Sequence, residues 1–181
     1  MTGALFLALA ALLAGCGNPV VDDEISALGD EKPGVPPSEY HRPGQPCVLC
    51  HGPYEGADPE LSLAGTIYAT AEEPVPIEGV RVLVTDSVGA KREKRTNCAG
   101  NFFWTAEEYI PSFPLKVEIA FKSASGPERR ASMGSRIGRD GSCAGCHVGE
   151  RSDASPGRVF CAPSQPTPPF PVPDAACGVV R

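Results

Sequence analysis

Two short segments of the chain carry cysteine and histidine at a spacing that can hold a covalent cofactor. Residues 47–51 read Cys-Val-Leu-Cys-His (motif 1), and residues 143–147 read Cys-Ala-Gly-Cys-His (motif 2). This is the spacing of c-type haem attachment: two thiols one short turn apart can each add to a vinyl group of one porphyrin, and the adjacent imidazole can reach the iron. The sequence therefore predicts two haem c groups, held covalently by Cys47, Cys50, Cys143 and Cys146 and bound at iron by His51 and His147.

Two other interpretations of the motif cysteines are open from sequence. In an oxidising compartment, each C-x-x-C pair can close a local disulfide. The four thiolates can also meet in a structural zinc site, but such a site gives no role to the histidine that follows each pair. Two occurrences of a pattern that ends in histidine, in a chain with three histidines, favour haem.

The inventory of residues limits the ligands on the far side of each iron. After His51 and His147 are used, His41 is the remaining histidine, and Met133 is the one methionine besides Met1. We expect one His/His and one His/Met haem, or a five-coordinate haem where a candidate does not reach. A methionine ligand raises the reduction potential, so the two haems would differ in potential. Either candidate could serve either haem, or could instead be a solvated residue or a core side chain.

The N-terminus has the character of an export signal. Residues 1–15 carry no charge, and the apolar block at residues 5–13 is too short for a permanent membrane span. The block leads into Leu-Ala-Gly-Cys at residues 13–16, which resembles the lipobox of bacterial lipoproteins and implies lipidation of Cys16. Residue 17 is not Asp, so the resemblance implies an outer-membrane anchor in the cell envelope. An ordinary secretory peptide or a buried N-terminal helix are the alternatives, and no Lys or Arg precedes the block.

Composition and patterning predict a mainly β domain. Glycine and proline each contribute 20 of the 181 residues, which argues against a helical bundle. The net charge of -6 provides no basic field for nucleic acid. Alternation with a period of two is typical of half-buried strands, and short strands are predicted at residues 63–68, 80–85, 91–96, 101–105, 115–122 and 129–133. Such a series of strands predicts a small β-sandwich.

Three segments of this region resemble a known family. They are Ala-Gly-Thr-Ile-Tyr at residues 64–68, Pro-Ile-Glu-Gly-Val-Arg-Val at 76–82 and Thr-Asn-Cys-Ala-Gly-Asn-Phe at 96–102. They resemble the carboxypeptidase regulatory-like domain, a transthyretin-like β-sandwich that is usually non-catalytic, so the resemblance implies architecture and no chemistry. The order of His41, the two motifs and the sandwich is similar to bacterial lipoproteins that carry paired haem motifs around such a domain.

These features divide the chain into six expected segments. Residues 17–46 are polar and rich in proline, and residues 159–181 are again rich in proline, so neither was expected to form a core. The segments are a signal peptide at 1–15, a lipidated flexible tether at 16–46, a first haem-binding segment at 47–60, the sandwich at 61–133, a second haem-binding segment at 134–158 and a Pro-rich tail at 159–181.

Three cysteines lie outside the motifs and the lipobox. Cys98, Cys161 and Cys177 are an odd number, so at least one forms no disulfide within the chain. The preferred pair is Cys161 with Cys177, which would close the Pro-rich tail into a loop and limit its fraying. Alternatively, Cys98 could join the tail to the sandwich.

Together these features predict a lipid-anchored, exported dihaem c-type cytochrome that transfers electrons to and from partner proteins. It would be an electron carrier rather than an enzyme, although a haem with one open side could act as a small-ligand enzyme or sensor. The arginines near motif 2 could pair with haem propionates, dock an acidic partner or simply be solvated. The alternative from another class is a surface adhesion or structural module, without redox activity, whose C-x-x-C pairs hold disulfides or zinc.

Overall fold

The computed structural model describes residues 18–31, 33–53, 56–123, 126–171 and 177. The chain divides into two compact units, residues 1–30 and residues 31–181. The expected signal peptide and the expected lipidation site Cys16 lie outside the described residues. Within the ranges given above, no helix is long and apolar enough to cross a membrane.

The first unit contains one helix in the described part of the chain, α1 (Pro19–Ala27). Its start follows from local chemistry, because the Asn18 side chain accepts a hydrogen bond from the Val20 amide and Pro19 occupies the first helical position. The segment expected to be a flexible tether therefore contains a helix at these residues. No side chain of α1 is buried.

The second unit is mainly β, as the sequence predicted. Helix α2 (Cys47–His51) precedes the strands, and a short 3-10 helix (Cys143–Gly145) lies between the last two. The strands are β1 (Leu61–Thr66), β2 (Tyr68–Thr70), β3 (Arg81–Thr85), β4 (Lys91–Arg95), β5 (Asn101–Thr105), β6 (Lys116–Phe121), β7 (Arg129–Ser132) and β8 (Phe160–Ala162). Each segment predicted as a strand coincides with one of them to within a few residues.

Two antiparallel sheets share one hydrophobic core. One sheet is four-stranded in the order β4-β3-β6-β7, and the other pairs β1 with β5. Leu63 from β1 and Trp104 from β5 belong to the same buried cluster as Val82 from β3 and Ile119 from β6. Burial of each such side chain stabilises the fold by about 1.5–3 kcal/mol. The core therefore fixes the position of β1, on which both motifs depend.

The Pro-rich tail is part of this core, which corrects the expectation that residues 159–181 form no core. Strand β8 pairs in parallel with β2, placing Phe160 opposite Tyr68 and Ala162 opposite Thr70. Further along, Phe170 is buried and its ring lies 6.2 Å from that of Phe121. The Pro-rich composition did not indicate strand β8 or the burial of Phe170, because both depend on contacts with residues far away in the chain, in β2 and at Phe121.

The disulfide joins Cys98 to Cys177, with a Cα–Cα distance of 5.7 Å, so the preferred pairing of Cys161 with Cys177 is wrong. Cys161 is a buried thiol in the core, because β8 carries it inside. Cys98 lies half-buried in the turn before β5, where the end of the tail reaches it. The bond closes a separation of 79 residues and fixes the tail to the sandwich.

We expect Cys177→Ser to lower the free energy of unfolding by about 2–4 kcal/mol, because a long closed loop restricts the unfolded chain. Urea unfolding followed by circular dichroism measures this loss. Cys161→Ala is the comparison, since it removes a thiol that forms no disulfide without placing a hydroxyl in the core. Equal stability of Cys177→Ser with the wild type, both purified under oxidising conditions, would contradict the assigned bond.

The buried carboxylate of Asp86 makes the free energy of unfolding depend on pH in the acidic range. Asp86 is 5% exposed; its Oδ1 accepts hydrogen bonds from the Val88 and Ala90 amides and its Oδ2 from the Tyr109 hydroxyl. Burial acts to raise the pKa of Asp86, but these hydrogen bonds outweigh it and lower the pKa below the ordinary value. The stabilisation is present above the pKa of the unfolded chain and is lost as pH falls through the lower, folded pKa.

We therefore expect Asp86→Asn to be less stable than the wild type at pH 7, with the difference shrinking as pH falls below about 4. Unfolding free energies from urea titrations at several pH values measure it. The exposed Glu107→Gln serves as control. A difference that stays constant with pH would contradict the role of the Asp86 charge.

Candidate functional site

Motif 1 forms a single helical turn. Pro46 precedes α2, and the Leu49 amide donates to its carbonyl oxygen at 2.8 Å. Because residues three and four apart share a helix face, Cys47, Cys50 and His51 lie on the same side of the turn. Gly52 ends the helix at a point where a Cβ atom would lie 2.6 Å from the Val48 carbonyl oxygen. The turn thus presents two thiols and one imidazole together.

Motif 2 repeats this arrangement with a tighter turn. Its 3-10 helix begins after Ser142, whose amide donates to the Asp140 carboxylate at 2.7 Å. The Cys146 and His147 amides both donate to the Cys143 carbonyl oxygen, at 3.2 and 2.9 Å. Residues three apart eclipse one another in such a turn, so both thiols again face one side.

Both motif histidines are oriented by the same kind of hydrogen bond. The Nδ1 atom of His51 lies 2.9 Å from the Pro59 carbonyl oxygen, and that of His147 lies 2.8 Å from the Gly157 carbonyl oxygen. A carbonyl can only accept, so Nδ1 is the donor in each ring and Nε2 is the nitrogen that this bond leaves open. Imidazoles that bind metal typically donate their other N–H in this way. Each motif therefore holds its histidine in the form that binds iron.

The structure places His41 beside motif 1. Its ring centroid lies 5.9 Å from that of His51, with the planes tilted by 41°. Two imidazoles bonded at about 2.0 Å to opposite sides of one metal have centroids about 6 Å apart. The Nδ1 atom of His41 lies 3.0 Å from the Ser38 amide nitrogen and also contacts the Ser38 carbonyl oxygen, so Nε2 is the ring nitrogen that these contacts leave open. The spacing fits a pair of ligands for one iron.

A cavity of about 600 Å³ adjoins motif 2, a size typical of ligand pockets. It is bounded by strands β1, β3, β5, β6 and β7 and by Cys143, Cys146 and His147. Met133, half-buried directly after β7, lies in the wall of the same cavity. Its apolar wall consists mainly of Ile67, Val82, Phe102, Val117, Ile119 and Phe160. The structure thus places His41 beside motif 1 and Met133 in the cavity wall beside motif 2, two locations that the sequence left open.

Strand β1 contacts both motif regions. The Ala64 amide donates to the Gly141 carbonyl oxygen at 2.9 Å, just before motif 2. Gly65 has no room for a side chain, since a Cβ atom there would lie 2.8 Å from the Cβ of Cys143. Thr66, the next residue, accepts a hydrogen bond from the Gly44 amide at 2.7 Å, just before motif 1. The two motif regions are therefore neighbours across one strand.

The four motif cysteines are thiols, as haem attachment requires. Burial raises the pKa of Cys47 to about 11. Burial, and then the nearby Cys47 thiol, raise the pKa of Cys143 to about 12. Among the described residues, no three His, Cys, Asp or Glu side chains are grouped so that they could hold a metal ion. Cys47 and Cys143 therefore lie close enough to interact, although the motif thiols form no such group.

No protein-family model matches the chain, and neither curated proteins nor solved structures contain a significant match. The site is therefore interpreted from its own residues.

The sequence does not indicate which groups hold the three histidines in place. Pro59 and Gly157 act through backbone oxygens, which no side-chain pattern reveals. Thr66 and Asn101 belong to predicted strands, and nothing in the sequence connects them to His41. In the structure both are buried and hydrogen-bonded to the segment that carries His41. A buried polar residue within a strand was the one available signal.

We expect the thiols of the folded, haem-free protein to react with iodoacetamide in a fixed order at pH 8. Cys146 is exposed and should be alkylated first. Cys143 and Cys161, whose pKa values burial raises to about 12, should react at least tenfold more slowly, because the thiolate is the nucleophile. Peptide mass spectrometry after timed quenching measures the order. Equal rates for Cys146 and Cys143 would contradict the placement of motif 2.

Proposed function

We propose that this protein is a dihaem c-type cytochrome that transfers electrons, with one haem at each motif. The observation that supports this most strongly is the repetition of one arrangement at two distant places in the chain. In each, one helical turn presents two thiols and a histidine, and a carbonyl oxygen eight or ten residues later fixes the Nδ1 proton of that histidine. A disulfide or a zinc site would not require the imidazole to be oriented in this way.

Covalent attachment uses only groups that the chain provides and the porphyrin vinyls. Each thiol adds across one vinyl group: the sulfur–carbon bond forms, the double bond becomes single, and the thiol hydrogen goes to the neighbouring carbon. No oxidant is consumed. When bound, haem supplies a one-electron redox couple, and the chain holds it, excludes water and sets its potential.

The ligand sets proposed for the two irons differ. His51 and His41 hold the haem of motif 1, and His147 and Met133 hold the haem of motif 2. Since a methionine ligand raises the potential relative to histidine, a haem held by His147 and Met133 would have the higher potential, and one held by His51 and His41 would be its electron donor. Proximity of the two motif regions across β1 suits transfer between them.

The surroundings of motif 2 suit the acidic groups of haem. Arg136, Arg139 and Arg158 line the cavity, and the Arg158 guanidinium lies 5.8 Å from the centroid of the Tyr68 ring. We propose that these cations pair with the propionates. The proposal further includes a lipid anchor at Cys16, an outer-membrane location, redox partner proteins, and a sandwich of the type that residues 61–133 resemble, serving as scaffold.

We expect two haems per polypeptide in a haemochrome assay on the denatured protein, produced with a working cytochrome c maturation system. The double variant Cys47→Ala/Cys50→Ala should retain one haem, and so should Cys143→Ala/Cys146→Ala. Cys161→Ala is the matched control and should retain two, because Cys161 belongs to the core. A wild-type protein without haem would contradict the proposal.

A further inference from the structure

We infer that Thr66 and Asn101 form a buried clamp that positions His41 opposite His51 and so closes the motif 1 haem to external ligands. This inference rests on the proposed function, since it concerns the iron ligation of one of the two proposed haems. It assigns a positioning role to two side chains that belong to neither motif. Both lie in the sandwich, in the directly paired positions of β1 and β5.

The clamp is a chain of hydrogen bonds. The Gly44 amide donates to the Thr66 hydroxyl oxygen at 2.7 Å, and that hydroxyl donates to Asn101 Oδ1 at 2.7 Å. The side-chain nitrogen Nδ2 of Asn101 then donates to the carbonyl oxygens of His41 at 3.1 Å and Glu39 at 3.3 Å. Three backbone groups of residues 39–44 are thus held by two side chains, each only 6% exposed.

A neighbouring residue adds a further hydrogen bond to this segment. The side-chain nitrogen Nδ2 of Asn97 donates to the same Glu39 carbonyl oxygen at 2.8 Å. Asn97 Oδ1 accepts a hydrogen bond from the backbone amide of Asn101 at 3.0 Å, which stabilises the turn before β5. The two asparagines therefore fix one side of the segment that was expected to be flexible tether.

The backbone of this segment follows a path that few residues can adopt. Arg42 has a φ of 48° and Gly44 a φ of 81°, both in the left-handed region. A Cβ atom at residue 44 would lie 2.2 Å from the Tyr68 hydroxyl oxygen, so a glycine is required there. A non-glycine residue in this conformation persists only where the surroundings enforce it. The clamp bonds the His41 carbonyl oxygen and the Gly44 amide, on either side of Arg42. The Arg42 guanidinium is itself held by Glu31 at 2.9 Å and by Gln45 at 2.8 Å.

The consequence for His41 follows from its position in the clamped turn. The His41 carbonyl oxygen accepts a hydrogen bond from the Asn101 side chain, and the His41 Nδ1 atom contacts Ser38. Both the backbone and the ring of His41 are therefore held in place. In this position the ring lies 5.9 Å from that of His51. If the clamp is removed, residues 39–44 regain freedom, and His41 no longer stays within bonding distance of the iron. A small ligand such as carbon monoxide can then occupy the sixth position.

The test compares carbon monoxide binding by the reduced holoprotein across five chains: wild type, Thr66→Val, Asn101→Ala, His41→Ala and Thr96→Val. Thr96 is the matched control, because it is 3% exposed, accepts the Val80 amide at 3.0 Å and donates to the Ile77 carbonyl oxygen at 2.6 Å. Its loss should destabilise the sandwich in a similar way without touching residues 39–44. Urea unfolding checks that each variant is folded. The midpoint potential of the motif 1 haem is recorded in parallel.

We expect Thr66→Val and Asn101→Ala each to bind up to one additional carbon monoxide per chain relative to the wild type and to raise the motif 1 potential. His41→Ala should give the same result, and Thr96→Val should match the wild type. Asn101→Ala alone is sufficient for the comparison if Thr66→Val does not fold.

Three other outcomes separate the inference from the function on which it rests. A wild type with two haems, in which both clamp variants behave like Thr96→Val, would overturn the clamp and leave the cytochrome proposal intact. A wild type that carries no haem at motif 1 would overturn both. Failure of His41→Ala to open the iron would overturn the ligand assignment and the clamp together.

Discussion

The close approach of both motif regions to strand β1 is the constraint on which the rest of the site depends. The strand is held on one side by its ladder with β5, and on the other side its Ala64 amide bonds the Gly141 carbonyl oxygen. Gly65 allows Cys143 to approach where any side chain would collide. Since Thr66 holds the segment before motif 1, consecutive residues of one strand determine where the turns of both motifs lie. Their separation is therefore set by the sandwich core and not by flexible linkers.

Several features could be predicted because they depend on local sequence. The one-turn motifs follow from C-x-x-C-H spacing, and strands such as β3 follow from alternation of Val82 and Val84 with half-buried neighbours. Other features depend on residues far apart in the chain. The bond from Asn101 to the His41 carbonyl spans 60 residues, and the tail becomes part of the core only because β8 finds β2. The sequence allowed either Cys98 or Cys161 as the partner of Cys177. The structure bonds Cys98 to Cys177 and buries Cys161 in the core.

The two proposed haem sites differ in how their distal ligands are held. His41 is fixed through its own carbonyl and its Nδ1 atom by contacts from Asn101 and Ser38. Met133 is anchored through its backbone amide, which donates to the Val117 carbonyl oxygen at 3.0 Å, and its side chain borders an open cavity. Under the proposed ligand sets, His41 and His51 would give one iron firmly held imidazoles, and Met133 would give the other a thioether beside a cavity of about 600 Å³. Two haems with such different ligands would differ in reduction potential.

The most direct test of the central claim is mass spectrometry of the holoprotein after denaturation, reduction and proteolysis, which locates covalently bound haem on individual peptides. The account predicts one haem on the peptide that contains Cys47 and Cys50 and one on the peptide that contains Cys143 and Cys146. Haem-free peptides from both motifs, found as disulfides or as unmodified thiols in protein from a host that matures other c-type cytochromes, would contradict it.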